Sequence, residues 1–198
     1  MSKAGDILFV RNHRVCPRWF CFTFDNWIRR LLQNPDQIIK PYVRTGDTVL
    51  DVGPGIGYFT IPMARLVGDG GRVIAVDIQD KMLAAILKRA LRAGVAQRVT
   101  TQLAGPVSLN VAAPADFILA FWMAHEVPDQ QRFFVQLHEV LKNDGRFLLA
   151  EPKLHVSQAQ FEAAITMAQK AGFRLTDRPD IPLSHCALFG SNPGTRTG

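Results

Sequence analysis

Residues 47–57 read Asp-Thr-Val-Leu-Asp-Val-Gly-Pro-Gly-Ile-Gly, a short apolar run that ends in an acid and continues into three alternating glycines. The apolar run has the β-branched character of a buried parallel strand, and residues 58–67 have the apolar spacing of a helix. Glycine permits positive φ and close approach of a ligand to the backbone, and a helix start presents unpaired N–H groups. The stretch therefore predicts a strand, a glycine turn and a helix that bind a nucleotide-like ligand.

Two kinds of nucleotide-binding turn are distinguished by glycine spacing. The dinucleotide pattern of nicotinamide-dependent enzymes is Gly-x-Gly-x-x-Gly, but here the third glycine comes one residue early, at Gly57, and Tyr58 stands in its place. The stretch instead resembles motif I of the class I S-adenosylmethionine-dependent methyltransferases, acid-x-Gly-x-Gly-x-Gly, through Asp51, Gly53, Gly55 and Gly57. For the turn alone, a tight strand-to-helix connection without any ligand is the structural alternative.

A second acid strengthens the resemblance. Residues 72–77 form another apolar run that ends in a carboxylate, Asp77, one helix after the glycine turn. A carboxylate in that position suits the ribose hydroxyls of a nucleotide, and Ile78 and Met82 resemble the family's residues around adenine. The resemblance implies S-adenosylmethionine as the cofactor and S-adenosylhomocysteine as its product. The implied cofactor contacts are Asp51, Gly53, Pro54, Gly55, Gly57, Asp77, Ile78, Met82 and Phe121.

The pattern of strands and helices predicts an α/β fold. Strands alternate with helices up to the last two strands, which have no helix between them and should pair antiparallel. This resembles the seven-stranded, doubly wound, mostly parallel methyltransferase sheet, of order 3-2-1-4-5-7-6, with helices on both faces. Strands are predicted at 47–52, 72–76, 99–103, 116–122, 145–151, 173–177 and 184–190, and helices at 25–33, 57–67, 80–93, 129–142 and 157–172.

The length of 198 residues suits one domain rather than two. We expect a cap or lid at 1–46, a Rossmann-like core at 47–190 and a disordered tail at 191–198. The longest uncharged apolar run, 117–124, is far shorter than the roughly 20 residues of a membrane span. With no signal sequence at the start and three cysteines without CxxC spacing, the composition predicts a cytoplasmic protein with free thiols and no metal site.

The net charge of +6 raises the question of a nucleic-acid partner. Much of the excess lies before residue 47, where basic residues alternate with aromatic ones. This mixture suits either a surface that stacks single-stranded nucleic acid or an aromatic segment packed over an active-site mouth. We favour the second interpretation, because no run of Arg and Lys is dense enough to require a polyanion. A nucleic-acid partner is therefore possible but not favoured, and the oligomeric state is not predicted.

Candidate catalytic residues follow the predicted fourth strand. Methyl transfer is an in-line displacement that mainly requires positioning, and it needs a general base only when the acceptor arrives protonated. His125 and Glu126 lie in this segment, which resembles the cavity-lining segment of ubiquinone/menaquinone methyltransferase-like proteins. Their structural alternatives are a histidine bonded to main chain and an acid at a helix start. Further substrate-side candidates are Tyr58, Trp122, Glu151 and His155.

One departure from the family pattern concerns adenine. The family commonly places an acid after strand 3, but residues 81–115 contain neither Asp nor Glu. A main-chain carbonyl near residues 103–105 could take its place.

The function predicted is methyl transfer from S-adenosylmethionine to a small molecule. The alternatives are a non-catalytic or RNA-associated protein on a degenerate methyltransferase fold and, less favoured by the glycine spacing, a nicotinamide-dependent oxidoreductase.

Overall fold

The computed structural model describes residues 33–191. The strands in this part of the chain are β1 Thr48–Val52, β2 Arg72–Asp77, β3 Val99–Leu103, β4 Ala115–Phe121, β5 Leu141–Pro152, β6 Phe173–Asp177 and β7 Ser184–Ser191. The α-helices are α1 Pro35–Ile39, α2 Thr60–Leu66, α3 Asp80–Arg92, α4 Gln130–Val140 and α5 Gln158–Lys170. Short 3₁₀ helices cover Ala96–Arg98 and Ala124–Glu126.

The seven strands form one sheet of order β3-β2-β1-β4-β5-β7-β6, which confirms the predicted order. Strand β1 is parallel to both β2 and β4, and β7 is antiparallel to both β5 and β6. Val52 at the end of β1 pairs with Val76 on one side and Ala120 on the other. Three neighbouring strands therefore end at the same edge, where ligands bind in open α/β sheets.

Helices cover both faces of the sheet, as expected. Phe133 and Phe134 of α4 and Phe161 of α5 are buried with the sheet residues Phe147 and Phe189 on one face. On the other face, the core is formed by α1, α2 and α3 against the sheet, through Ile39, Met63, Ile86, Val49 and Phe117. Full burial of such a side chain is worth about 1.5–3 kcal/mol, so the two apolar layers hold the strand ends in fixed positions.

Side-chain caps explain where several helices begin. Asn34 accepts from the N–H of Asp36, and Pro35 occupies the first turn of α1, where its missing N–H costs nothing. Asp129 caps α4 through the N–H of Arg132. Ser157 and Gln160 form the predicted capping box at the start of α5.

Some boundaries differ from the sequence prediction. Helix α4 ends at Val140 because Leu141 is already paired with Ala115 in the sheet, so β5 begins four residues before its predicted start at Gly145. Trp122 was predicted inside the fourth strand, but its φ of 61° takes it out of the extended conformation.

The predicted tail also begins too early. Ser191 is buried in β7, and its Oγ lies 3.4 Å from Nε2 of His138. The rest of that tail, 192–198, lies outside the described residues, as do the predicted helix at 25–33 up to residue 32 and most of the cap.

Within residues 33–191, no helix combines the length and apolarity that a bilayer span requires. The same residues bring together no group of three metal-ligating side chains.

Cys186 is buried, and burial raises the pKa of its thiol to about 12. That thiol is therefore a protonated core group, whereas Cys16 and Cys21 lie outside the described residues.

Candidate functional site

Gly53 and Gly55 give the turn after β1 its shape. Their φ angles of 65° and 56° are ones that other residues rarely adopt. A Cβ on Gly53 would lie 2.8 Å from Cγ of Met123, so a side chain there would collide with the segment after β4. A Cβ on Gly55 would meet no described atom within 4 Å. The turn therefore offers open main chain beside the strand ends, which fits a ligand that approaches the backbone closely.

Asp77 ends β2 next to this turn. The N–H of Gly53 donates to the carbonyl of Val76 at 2.9 Å, and Oδ1 of Asp77 accepts the N–H of Gln79 at 2.8 Å. Burial raises the pKa of Asp77 to about 6, and the negative charge of Glu126 acts in the same direction. At neutral pH the carboxylate is mostly ionised and accepts hydrogen bonds only, which fits the two hydroxyls of a ribose.

Asp51 has a different environment. Asp51 is only 2% exposed, and its Oδ2 accepts a hydrogen bond from Oγ1 of Thr60 at 2.6 Å. This bond joins β1 to the first residue of α2 and so braces the glycine turn. Burial raises the pKa of Asp51 to about 7, and the bond from Thr60 opposes the rise. Its direct contact with a cofactor stays a prediction.

We expect Asp51→Asn to make the stability of the protein less dependent on pH. The carboxyl pKa rises from 3.8 in the ordinary case to about 7 in the folded protein, so between these values the folded state holds a proton that the unfolded state releases. The free energy of unfolding therefore falls as pH rises through this window. Asparagine cannot ionise, so that part of the pH dependence disappears.

Urea unfolding at about pH 5 and about pH 8 measures this effect. The difference in unfolding free energy between the two pH values should shrink by about 1 kcal/mol or more in the Asp51→Asn variant. A difference equal to that of the wild type would show that Asp51 is ionised throughout this range.

The remaining predicted cofactor residues lie on the strands and turns around β1. Pro54 and Met82 are buried, and Ile78 is partly exposed after Asp77. Phe121 is buried at the end of β4, with its ring centroid 4.5 Å from that of Phe59. Their contacts with a cofactor stay predictions.

The exit of β4 brings together His125 and Glu151. Phe121, the last residue of β4, pairs with Ala150, so Glu151 follows immediately on the neighbouring strand. Glu151 is 2% exposed, and its Oε2 is bonded to ring Nδ1 of His125. Its other oxygen, Oε1, accepts the main-chain N–H of His125 at 3.3 Å. One buried carboxylate thus holds both the backbone and the ring of the histidine.

This bonding sets the proton positions on the ring. An ionised carboxylate only accepts, so Nδ1 of His125 carries the hydrogen and Nε2 is the nitrogen that can take a proton. Burial lowers the pKa of His125, but the hydrogen bond to Glu151 and the charges of Glu151 and Glu126 together outweigh it and raise the pKa above 6.5. The imidazole is 24% exposed. A partly exposed imidazole oriented by a buried carboxylate can act as a general base.

Trp122 is the first member of a short hydrogen-bond chain through Ser184 and Gln33, two residues that the sequence analysis did not identify. Its Nε1 donates to Oγ of Ser184 at 2.9 Å. Gln33 donates to the same oxygen at 3.2 Å and to the carbonyl of Pro182 at 2.6 Å. The indole N–H of Trp122 is therefore used inside the protein. Ser184 and Gln33 belong to no motif, so no sequence signal identifies them.

The two remaining substrate-side candidates, Tyr58 and His155, and the second catalytic candidate, Glu126, differ in location. The ring centroid of His155, an exposed residue, lies 6.2 Å from that of His125. Glu126 is exposed, and its charge raises the pKa of both Asp77 and His125. Tyr58 donates its hydroxyl to the carbonyl of Gln33 at 2.8 Å, and it lines a cavity shared by α2 and α3. His155 therefore lies near His125 and Glu126 follows it in the chain, whereas Tyr58 lines the cavity between α2 and α3.

The segment after β3 also limits how adenine could be bound. The carbonyl of Leu103 already accepts from Nδ2 of Asn110 and from Nε2 of Gln102, both at 3.2 Å. The carbonyls of Ala104 and Gly105 are therefore the better main-chain candidates within the predicted stretch.

Comparison with known families matches residues 44–178 to the methyltransferase domain family. The ubiquinone/menaquinone biosynthesis C-methyltransferase UbiE of Pasteurella multocida (strain Pm70) is 34% identical over 148 residues, which cover 74% of this chain and 49% of that protein. The protein of the same name from Enterobacter sp. (strain 638) is 34% identical over 110 residues, covering 55% and 44%. The chain thus spans about half the length of the curated relatives it matches.

Solved structures show the same fold. A methyltransferase of Aquifex aeolicus, described as dependent on S-adenosylmethionine, superposes with a TM-score of 0.75 at 21% identity, covering 89% of this chain and 98% of that one. A protein of Clostridium thermocellum described as a putative rRNA methylase gives a TM-score of 0.60 at 21% identity, covering 80% and 94%. Since these two proteins differ in description, the fold alone does not select a substrate.

Proposed function

This chain belongs to the methyltransferase domain family, and on that premise we propose that it transfers a methyl group from S-adenosylmethionine to a small molecule that bears a hydroxyl group. The observation that carries the proposal is the His125–Glu151 pair at the exit of β4. Strand β4 is the direct neighbour of β1, so the base and the glycine turn share one edge of the sheet.

The chain's own residues fit the cofactor. The open main chain at Gly55, in the turn that Gly53 begins, would hold its amino-acid portion, and Asp77 would accept hydrogen bonds from the ribose. When bound, S-adenosylmethionine supplies an electrophilic methyl group. The protein then has to orient the acceptor and remove its proton, because an in-line displacement needs no further covalent chemistry from the enzyme.

His125 is the residue we assign to the proton. Its Nε2 accepts the hydroxyl proton of the acceptor, and the Glu151 carboxylate stabilises the imidazolium that forms. An acceptor oxygen or a conjugated ring carbon becomes a better nucleophile when that proton leaves. Trp122 is partly exposed, with its ring centroid 5.6 Å from that of the buried Phe121, and would contribute apolar surface beside a flat acceptor.

The relatives' names support an aromatic acceptor. They describe C-methyltransferases of ubiquinone and menaquinone biosynthesis, and we infer an acceptor of related chemistry, a hydroxyl-bearing aromatic ring, for this chain. No observation in the described part of the chain favours the nicotinamide, RNA-associated or non-catalytic alternatives. The cytoplasmic location stays a prediction.

The direct test measures S-adenosylhomocysteine release from S-adenosylmethionine in the presence of a panel of phenols, hydroquinones and aliphatic alcohols. We expect turnover with members of the aromatic hydroxyl group. Release that is never stimulated by any acceptor, from a protein that binds the cofactor, would argue for the non-catalytic alternative.

We expect Glu151→Gln to change the pH profile of that activity. In the wild type, the rate should fall at low pH, because protonated His125 cannot act as a base. Glutamine removes the negative charge that raises the pKa of His125, so the acidic limb of kcat/KM should move to lower pH while kcat falls by about 10-fold or more. Glu139→Gln, at an exposed position on α4, is the matched control. If the acidic limb of kcat/KM lies at the same pH in Glu151→Gln and Glu139→Gln, Glu151 does not position His125.

A further inference from the structure

Residues from three distant parts of the sequence form the hydrogen-bond network around Ser184: Gln33 before α1, Trp122 after β4, and Pro182 and Ser184 where β7 begins. We propose that Ser184, together with Gln33, is a positioning residue that holds the indole ring of Trp122 in place for the aromatic ring of the acceptor. The inference rests on the proposed function, because it takes the acceptor to be an aromatic compound that binds beside Trp122.

The Ser184 network lies at the edge of the sheet that carries His125. Ser184, the first residue of β7, pairs with Pro152, the last residue of β5. Since β4 and β5 are parallel, their carboxyl ends and the start of β7 share one edge. Trp122 follows β4 directly and precedes His125 by three residues. The network therefore acts on the segment that carries the proposed base.

The hydroxyl group of Ser184 uses its full hydrogen-bonding capacity. Its Oγ accepts from Nε1 of Trp122 at 2.9 Å and from Nε2 of Gln33 at 3.2 Å, and it donates to the carbonyl of Pro182 at 3.3 Å. A hydroxyl has two lone pairs and one hydrogen, so all three are used. Ser184 is 4% exposed and Gln33 is 1% exposed. Removal of this hydroxyl therefore takes away the buried acceptor of the indole N–H.

Gln33 is anchored through both its side chain and its main chain. A carbonyl only accepts, so the group of Gln33 that lies 2.6 Å from the carbonyl of Pro182 is the NH₂ group. The second hydrogen of this NH₂ group is donated to Ser184. The main-chain carbonyl of Gln33 accepts the hydroxyl of Tyr58 at 2.8 Å. Gln33 thus holds the Ser184 hydroxyl in the orientation that accepts from Trp122.

The backbone of Trp122 explains why such a restraint is needed. Its φ of 61° lies in the left-handed region, which bulky residues rarely adopt and which persists where surrounding contacts over-determine it. The main-chain N–H of Trp122 donates to the carbonyl of Ala150 at 2.7 Å. This bond ties the main chain of Trp122 to β5, and the bond to Ser184 ties its indole ring to β7. Loss of the Ser184 bond gives the ring more rotational freedom.

A restrained indole ring favours binding of an aromatic acceptor. Aromatic pairs prefer defined offset or edge-to-face arrangements, and a side chain that is ordered before binding loses less entropy when the ligand arrives. The cofactor contacts that we assign to the glycine turn and Asp77 involve other residues. Loss of the Ser184 hydroxyl should therefore weaken acceptor binding and leave cofactor binding nearly unchanged.

Nuclear magnetic resonance of the ¹⁵N-labelled full chain tests the inference without methyl transfer. The indole resonance that disappears in Trp122→Phe identifies Nε1 of Trp122. Titration with phenols and hydroquinones, with and without S-adenosylhomocysteine, should shift this resonance in the wild type. Ser184→Ala should move the resonance of the free protein and raise the Kd of the acceptor about fivefold or more. The Kd of S-adenosylhomocysteine should stay within about twofold of wild type.

Ser191→Ala is the matched control, because Ser191 is the last residue of the same strand and is also 4% exposed. Its Oγ lies 3.4 Å from Nε2 of His138, and the length of the strand places it about 23 Å from Ser184. This variant also loses a buried serine hydroxyl of β7. It should leave both the Trp122 resonance and the Kd of the acceptor unchanged.

A double-mutant cycle separates positioning of the indole from a general structural role. In the Trp122→Phe background, Ser184→Ala should cost little further acceptor affinity, because the bond to the indole is already absent. A loss of the same size in both backgrounds would overturn the inference, and so would equal changes of Kd in Ser184→Ala and Ser191→Ala.

The resonance of Trp122 also separates this inference from the proposed function. A phenol that shifts the resonance but is never methylated would contradict the proposed function and keep the positioning role of Ser184. Methylation of a phenol that leaves the resonance unshifted would overturn the inference and keep the proposed function. If no member of the panel shifts the resonance, the inference is wrong.

Discussion

Replacing His125 with alanine lowers turnover by about 100-fold or more, the size of the contribution that a general base makes, while cofactor affinity stays nearly unchanged. The expectation follows from the geometry at the exit of β4, where Glu151 fixes Nδ1 and leaves Nε2 to take the acceptor proton. The main-chain N–H of residue 125, which donates to Glu151, is kept in both alanine and asparagine. Loss of the imidazole therefore removes the base with little effect on the local fold.

Steady-state kinetics with the best acceptor, together with a titration of S-adenosylhomocysteine, measures both quantities for wild type, His125→Ala and His125→Asn. Glu139→Ala, at an exposed position on α4 away from the proposed base, is the control. Turnover of the His125 variants within about threefold of wild type would assign His125 a structural role and direct attention to Glu126 or to an acceptor that needs no base.

Asp77→Ala weakens S-adenosylmethionine binding by at least tenfold, and by about 100-fold if two bonds are lost. Charge-assisted hydrogen bonds are worth about 1.5–3 kcal/mol each, and a loss of 1.4 kcal/mol changes affinity about tenfold. The Asp77 carboxyl group accepts the N–H of Gln79 on one side, so it is already oriented at the end of β2 before a ligand arrives.

The same side chain should make cofactor binding sensitive to pH. Since burial raises the pKa of Asp77 to about 6, the carboxylate gains a proton as pH falls through this value and loses hydrogen-bond acceptor capacity. Wild-type affinity for S-adenosylhomocysteine should therefore drop between about pH 7 and about pH 5, and this drop should be smaller in Asp77→Ala. Asp144→Ala, at an exposed acid in β5, serves as the control. If folded Asp77→Ala protein binds the cofactor as tightly as the wild type does, the ribose assignment is excluded.

The part of the fold that the sequence predicted best is the part with special local chemistry. The glycine turn, the acid that ends β2 and the capping box at Ser157 each combine a residue type with a fixed spacing, and the structure confirms the elements around them. The sheet order came from the resemblance to the family. Boundaries inside continuous apolar stretches were less certain: nothing in residues 117–124 marks the positive φ of Trp122, and Leu141 is equally suited to a helix end or a buried strand.

The candidate site was predicted as single residues and not as an arrangement. His125 and Glu151 were both identified, but their pairing depends on the register between β4 and β5, which local sequence does not encode. Tyr58 lies next to the glycine turn in sequence, yet its hydroxyl bonds Gln33. Ser184 reaches Trp122 only because β7 lies beside β5. Such contacts arise from tertiary packing over long sequence distances.

Calorimetry of the full chain with S-adenosylmethionine, S-adenosylhomocysteine and NAD, titrated separately, tests the cofactor assignment most directly. The glycine turn and Asp77 predict one binding site for each of the two sulfur-containing nucleosides and no measurable binding of NAD. Binding of NAD alone would contradict the assignment, and so would the absence of any binding by all three ligands to the folded protein.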